Sequence, residues 1–438
     1  MLSELLNKEF LSQYFAHFRV FLDYMHAFFN SGFYVILYIT MLFTLFFLAL
    51  TFISVFFSKK KKEKEFVKSK APFVTIQIPT RNELIALRCA ECCLEFDYPK
   101  NRYEILIGDD SNNPSVSQKI DEFAEKHSDF VKVIRRKENI GFKPGNLQNM
   151  LGHSKGDILV IFDSDFTPKN DFLKRIVTPF IHDKEIAAVQ ARWNFNNFNQ
   201  NLVTVLASTI LYVFHHVTLS FMDRFNATSL CGSAEAVRKK DLVALGGWKL
   251  GSLTEDIEYT LRLYKANKKF VYLQDLECYS EVPYTAVDFY KQQMRWAYGV
   301  VTSYIAHFKD IMLSKTVPLD RKILSIMPGF GYIVSPLIVM LFAFGTLSFV
   351  THRPGPLDLP RFFSETFTNI GLTSGLLIAS IVALYKEKKL KYVWNMVLSS
   401  FSIGLVATYY VNKGIMKSCA GKPMQWFLLN KNVQYKKE

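Results

Sequence analysis

An α/β fold with a largely parallel sheet, set between apolar helices, follows from three features of the chain. The first is the stretch Ile158-Leu159-Val160-Ile161-Phe162-Asp163-Ser164-Asp165. Five apolar residues rich in Ile and Val read as a strand buried on both faces. That strand ends in two carboxylates, and the carboxyl end of a strand is where an open α/β sheet keeps its ligand. The second feature is the alternation of strand and helix over residues 71–310. The third is the placement of the apolar residues. Hydrophobic residues make up 50% of the 438, with 40 Phe, and the excess sits at the two ends. A soluble middle between membrane segments is the expectation.

Residues 1–31 carry Phe10, Tyr14, Phe18, Phe21, Met25 and Phe28 at helical spacing, with Asn7, Lys8, Gln13, Arg19 and Asp23 between them. One apolar stripe of this kind predicts a helix lying in a membrane interface. Residues 32–57 are uncharged and apolar, about 26 in a row, long enough to span with tilt. The stretch is too long for a secretory signal, and no small-residue cleavage site follows it. Lys59-Lys60-Lys61-Lys62 then marks the cytoplasmic side.

From Ala71 the elements alternate. Phe73 to Ile78 predicts a strand, and Ile85 to Phe96 a helix carrying Cys89, Cys92 and Cys93. These thiols have no fourth ligand nearby and read as small buried hydrophobes, reduced on a cytosolic face. Tyr103 to Gly108 is the next strand, closed by Asp109-Asp110. A helix over Val116 to Lys126 leads to a strand over Val131 to Ile134. Gly141 to Asn146 forms a turn in which Pro144 starts the helix that ends near His153. Strands and helices in this rhythm predict parallel βαβ units.

Three more apolar stretches follow in the region 328–411: Phe330 to Val350 with Pro336 inside it, Phe367 to Tyr385, and Tyr392 to Val411. The Lys-poor link 351–366 suits an outside loop. Lys386-Glu387-Lys388-Lys389-Leu390-Lys391 suits an inside loop, and so does the basic tail 412–438. Three full spans contradict that assignment. Either the last stretch is re-entrant, or Pro336 breaks the first in two, or the charge rule fails here.

The net charge of +14 raises nucleic acid as a partner. The basic residues cluster at membrane edges, however, which fits anionic lipid headgroups and disfavours a nucleic-acid module. A transporter with a nucleotide-binding domain is disfavoured. No Gly-Xaa₄-Gly-Lys-Ser/Thr loop occurs, and no charged residue sits within the spans as a coupling site.

Hard oxygen ligands spaced as in Asp163-Ser164-Asp165 suit Mg²⁺ or Mn²⁺, though Asp also serves strand-end turns. Thr254-Glu255-Asp256 follows Gly246-Gly247-Trp248, and Gln292-Gln293-Met294-Arg295-Trp296 follows in turn. Arg295 suits a diphosphate by its planar fork, and Trp296 suits a sugar ring; both also favour membrane interfaces. With Asp109-Asp110 these motifs, in this order, resemble the family 2 glycosyltransferases, in the processive inverting branch of cellulose, mannan and hyaluronan synthases. Further likenesses are Gln77 to Glu83, Lys143-Pro144-Gly145-Asn146-Leu147, Val189-Gln190-Ala191-Arg192-Trp193, Leu230-Cys231-Gly232-Ser233-Ala234 and Gly421-Lys422-Pro423-Met424-Gln425-Trp426.

The resemblance implies a GT-A, Rossmann-like domain over 71–310. It assigns the base to Asp256 with Glu255 beside it. It places the metal on Asp163 and Asp165. The nucleotide sugar falls to Thr80, Glu83, Asp110, Lys143, Asp163, Gln292 and Arg295. The acceptor falls to Cys231, Gly232, Ser233, Gln293 and Trp296. The implied reaction is transfer of a hexose, with glucose from UDP-glucose favoured, to a growing β-glycan secreted across the plasma membrane from a cytoplasmic catalytic face. A single transfer to a lipid, as in ceramide glucosyltransferases, is the alternative. A channel of so few helices calls for a second protomer or another partner.

Overall fold

The chain opens as one continuous helix, α1 (Lys8–Phe56, 49 residues), where the sequence predicts an interfacial helix over 1–31 and a separate span over 32–57. The only helix-breaking signal between them is Asn30-Ser31-Gly32. A single Gly costs a helix about 1 kcal/mol, too little to end one flanked by apolar helix formers. At 1.5 Å per residue α1 is roughly 74 Å long, more than twice the thickness of a hydrocarbon core. This computed structural model describes residues 8–56, 64–352 and 358–424, with side chains from Gln13 onward. Lys59 to Lys62, Gln425-Trp426 and the last tail lysines lie outside the described residues.

Seven strands form one sheet: β1 (Val74–Thr80), β2 (Tyr103–Asp109), β3 (Val131–Ile134), β4 (Ile158–Ile161), β5 (Ile186–Phe195), β6 (Glu235–Arg238) and β7 (Lys269–Ser280). Their order is β3-β2-β1-β4-β6-β5-β7. Every residue of β1, β2, β4 and β5 is buried, as their near-continuous apolar runs predict. β1, β2, β3 and β4 are mutually parallel, with Val74 opposite both Tyr103 and Ile158. The sheet is mixed, because β6 runs antiparallel to both β4 and β5. Four residues bounded by Glu235 and Arg238 carry neither an apolar run nor an alternation, so the sequence does not announce this strand.

Helices α2 (Ile85–Leu94), α3 (Pro114–Lys126), α4 (Phe142–His153) and α5 (Phe172–His182) alternate with the strands. Cys89 and Cys93 of α2 are buried and free, as is Cys278 of β7; burial pushes the Cys93 and Cys278 thiols up. α4 begins at Phe142, so Pro144 sits inside its first turn, where its missing N–H has no helical partner to lose. After β5 come α6 (Leu202–Val213) and α7 (Ser220–Asp223), joined through a π-turn at Phe214–Leu219. This 22-residue apolar helix, unforeseen in the sequence, is mostly buried within the protein. α8 (Lys239–Ala244), α9 (Glu255–Lys265) and α10 (Ala286–Leu313) complete the region around the sheet.

Beyond it lie α11 (Leu319–Phe330), α12 (Val334–Thr351), α13 (Leu359–Thr373), α14 (Gly375–Lys386), α15 (Val393–Ser399) and α16 (Leu405–Cys419). Pro336 does not break its stretch. A 3-10 turn at Gly331–Ile333 precedes it, and Leu319–Thr351 runs on as one 33-residue helix. The break falls instead in the second stretch, where α13 and α14 meet at 57° about Ser374. The tail expected from 412 begins as helix: α16 continues to Cys419 and stops before Gly421, which is left-handed at φ +63°, and Pro423. Among the described residues four helices are long and apolar enough to cross a membrane, five if the bent pair counts as one.

The chain divides into two compact units. Residues up to Ala49 and Gly331 to Ala379 form one. In it Tyr14, Phe18, Phe21 and Phe28 of α1 are exposed, and Gly375 rests against α1, where a Cβ would stand 2.5 Å from the Thr44 carbonyl oxygen. Leu50 to Phe330 with the residues from Ser380 form the other, which holds the sheet. Here α16 packs on α10 at Gly414, where a Cβ would stand 2.4 Å from the Met294 carbonyl oxygen. Tyr410 stacks on Tyr290 at 5.0 Å. Thr302 and Ser418 share a hydroxyl hydrogen bond of 2.7 Å. The loop after α14 docks on the sheet through a buried charge cluster. Arg192 of β5 pairs with Glu387 and with Glu277 of β7. His216 lies 2.6 Å from Glu387, and the Lys389 ammonium sits 4.3 Å above the Phe198 ring.

Candidate active site

β1 is flanked by β2 on one side and β4 on the other, so the chain reverses its winding there. The carboxyl ends of β1, β2 and β4 therefore open one crevice at a topological switch point. A cleft of about 220 Å³ occupies it. Thr80, Glu83, Asp110, Lys143, Asp163, Asp165, Cys231, Gly232, Glu255, Asp256, Gln292, Arg295 and Trp296 all line this cleft. Residues spread over more than two hundred positions thus converge on one space.

Two of the residues assigned by resemblance do not line it. Ser233 is fully buried, and its hydroxyl accepts the Asp163 backbone N–H at 2.8 Å, so it holds the end of β4. Gln293 is buried in α10 and does not line the cleft, whereas Gln292, Arg295 and Trp296 do.

At the end of the cleft beside β1 and β2, Thr80 donates to the Glu83 carbonyl at 3.1 Å, and Ser164 donates to the Glu83 carboxylate. Asp110 accepts both arms of a fork from Arg136, at 2.8 and 2.6 Å. Arg136 also caps the carbonyls of Ile140 and Phe142. Asp109 accepts the Arg135 Nε–H at 2.9 Å and the Ser117 hydroxyl on one oxygen, and the Ser111 N–H on the other. Burial would raise the Asp109 carboxyl, but these bonds hold it below its ordinary value. Asp109 is thus a structural turn residue. Arg135-Arg136 after β3 mirrors Asp109-Asp110 after β2, and that pairing of adjacent strand ends was the available signal for the arginines.

At the centre the Lys143 ammonium lies 2.8 Å from Asp163, 2.9 Å from Glu255 and 2.7 Å from the Gly232 carbonyl oxygen. Burial disfavours its charge, yet Asp163 and Glu255 more than offset this and raise its pKa. Asp256 is pushed up to about 7 by burial and by the charge of Glu255, with Lys143 pulling the other way. A carboxylate poised there is half ionised near neutrality, which suits a general base. Glu235, unforeseen, is pushed up to about 8 by burial and by Asp256. Arg295 donates to the Leu253 carbonyl at 3.1 Å. Gly299, one turn on, lets α10 close on Thr254, where a Cβ would stand 2.6 Å from the Thr254 methyl.

Among the described residues no three His, Cys, Asp or Glu side chains are arranged to hold an ion. Asp163 and Asp165 are hard oxygen donors facing the cleft. Two carboxylates suit Mg²⁺ or Mn²⁺ when substrate phosphates complete the shell.

A switch-point cleft that combines carboxylates for a cation, fixed cations for phosphate and a base poised near neutrality defines an enzyme that transfers a group from a nucleotide-activated donor. Residues 71–299 match the family described as glycosyltransferase like family 2, and the chain belongs to that family. Among similar proteins, the probable glucomannan 4-beta-mannosyltransferase 1 of Arabidopsis thaliana is 29% identical over 385 residues, 83% of this chain and 68% of that one. Glucomannan 4-beta-mannosyltransferase 1 of Oryza sativa subsp. japonica is 31% identical over 267 residues, 58% of this chain and 50% of that one. The mannosyltransferase PcManGT from Pyrobaculum calidifontis, solved with GDP-Man and Mn2+, superposes with a TM-score of 0.60 over 92% of this chain and 100% of that chain. At 18% identity this likeness is one of fold, GT-A.

Proposed function

We propose that this chain is a membrane-embedded, processive β-glycan synthase that transfers mannose from GDP-mannose. The observation that carries the proposal is the convergence of Asp110, Asp163-Ser164-Asp165, Glu255-Asp256 and Gln292-Arg295-Trp296 on one cleft. The names of the plant relatives and of PcManGT support mannose over the glucose expected from sequence.

Asp256 removes the proton from the acceptor hydroxyl as it attacks the anomeric carbon. A single displacement inverts that centre, so an α-linked donor gives a β linkage. Lys143 and Arg295 face the diphosphate, on which negative charge develops as the bond breaks. Asp163 and Asp165 would hold Mg²⁺ or Mn²⁺, which supplies further neutralisation of that charge. Trp296 offers a face to a sugar ring. The apolar helices embed the chain in the plasma membrane with the cleft on the cytoplasmic side, and a second copy or another partner completes the path for the product.

Inside-out vesicles supplied with radiolabelled GDP-mannose or UDP-glucose test this reading. The expected product is a high-mass mannan sealed in the lumen, resistant to added mannanase until detergent is present. Incorporation from UDP-glucose alone would refute the donor. A low-mass product that extracts into organic solvent would refute the polymer and favour a lipid acceptor.

A further inference from the structure

Glu235 belongs to none of the motifs above, yet it is buried directly behind Cys231 and Gly232, which line the cleft. It opens β6, is 1% exposed, and lies in register between Ile161 of β4 and Gln190 of β5. A single carboxylate oxygen accepts the Gly232 N–H at 2.8 Å and the Cys231 N–H at 3.2 Å. Gln190 accepts the same Cys231 N–H at 2.8 Å. These bonds close a tight turn in which Gly232 is left-handed at φ +84° and Ala234 at +49°. The turn points the Gly232 carbonyl at the Lys143 ammonium, 2.7 Å away. It also forms the floor between cation and base: a Cβ on Gly232 would stand 3.3 Å from the Lys143 nitrogen and 3.5 Å from the Asp256 carboxylate.

We propose that Glu235 is a positioning residue for the donor diphosphate: through the Cys231–Gly232 turn it sets the place of the Lys143 ammonium. A buried carboxyl is costly unless its hydrogen bonds are worth keeping; Gln190 already accepts the Cys231 N–H, and the Gly232 N–H would be orphaned without Glu235. With its carboxyl pushed up to about 8, Glu235 is mostly protonated at neutral pH. A protonated acid still accepts both N–H groups through its carbonyl oxygen and adds no charge beside Asp256. Glutamine has the same shape and the same acceptor.

This inference rests on the donor reading given above. The test is calorimetric titration of GDP, with Mn²⁺, into the detergent-solubilised full chain. Glu235→Ala is expected to weaken the Kd about tenfold, the cost of one lost charge-assisted contact to phosphate. Glu235→Gln is expected to restore it to within about twofold of the parent. Gly232→Ala, which crowds Lys143 from the same turn, is expected to weaken GDP binding as well, and carries the test if the Glu235 alanine variant does not fold. A parental Kd in Glu235→Ala, a loss confined to binding stoichiometry, or a glutamine variant as weak as the alanine one would each overturn the proposal. Failure of the unsubstituted chain to bind GDP would refute the donor reading instead.

Discussion

Lys143→Met removes the cation that faces both the diphosphate and the base, and its effect on the base can be worked out. The Lys143 nitrogen and the Asp256 carboxylate both lie within 3.5 Å of the point a Gly232 Cβ would occupy. The two charges are therefore no more than about 7 Å apart, and at an effective dielectric of about 20 that pair is worth roughly 2.4 kcal/mol. This corresponds to about 1.7 pKa units. Asp256 starts from about 7 with the cation in place. Without it the carboxyl moves to between about 8 and 9. A general base must be deprotonated, so the rate rises with pH through its pKa, and raising that pKa moves the acidic limb upward. At pH 7 the ionised fraction falls from about one half to about 2%, a loss of roughly 25-fold that is largely recovered by pH 9. The assay is initial-rate mannosyl transfer between pH 5.5 and 9.5 at saturating donor, which removes any effect on donor affinity. An equal loss at every pH, with the acidic limb unmoved, would refute the coupling of Lys143 to Asp256.

Asp256→Asn should lower transfer by a factor of about a hundred or more while sparing GDP binding; near-normal turnover removes Asp256 from the mechanism. Asp165→Ala should abolish the Mn²⁺ dependence of GDP binding, and titrations that respond to Mn²⁺ as the parent's do would end its assignment to the metal. Arg295→Lys should leave little activity, because a point charge does not reproduce a planar fork; substantial retained transfer would favour a role at the membrane interface. Gly414→Val places a side chain against the Met294 carbonyl and should cost about 1–3 kcal/mol by overpacking, read as a lower melting temperature in detergent; an unchanged melting temperature would refute the close packing of α16 on α10.

The parallel half of the sheet was legible because β1, β2 and β4 are buried apolar runs, and burial on both faces leaves no other pattern. The cleft was legible because its carboxylates end those runs. What escaped the sequence is tertiary. Arg136 reaches Asp110 only because β2 and β3 are neighbours. Glu235 looks like a polar residue in a four-residue strand until the antiparallel pairing to Ile161 carries it inside. Gln293 is buried beside Gln292, which lines the cleft, and spacing alone does not separate the two. The unbroken α1 shows that a weak breaker does not end a helix when both flanks favour it.

The charge cluster around Arg192 has a consequence for biosynthesis. Its partner Glu387 lies 195 positions further along the chain. At roughly 5–20 residues per second a ribosome takes about 10–40 s to add that segment. Until Glu387 is made, a guanidinium destined for burial has at most Glu277 and the Gln274 carbonyl oxygen, of the partners described, to hold it. A catalytic region released before α14 emerges carries a partly compensated charge in its interior, and breaking a buried pair costs about 3–5 kcal/mol. The charge cluster on the sheet is therefore completed late, when α14 has already been made. A soluble fragment ending near residue 310 lacks the group that completes it.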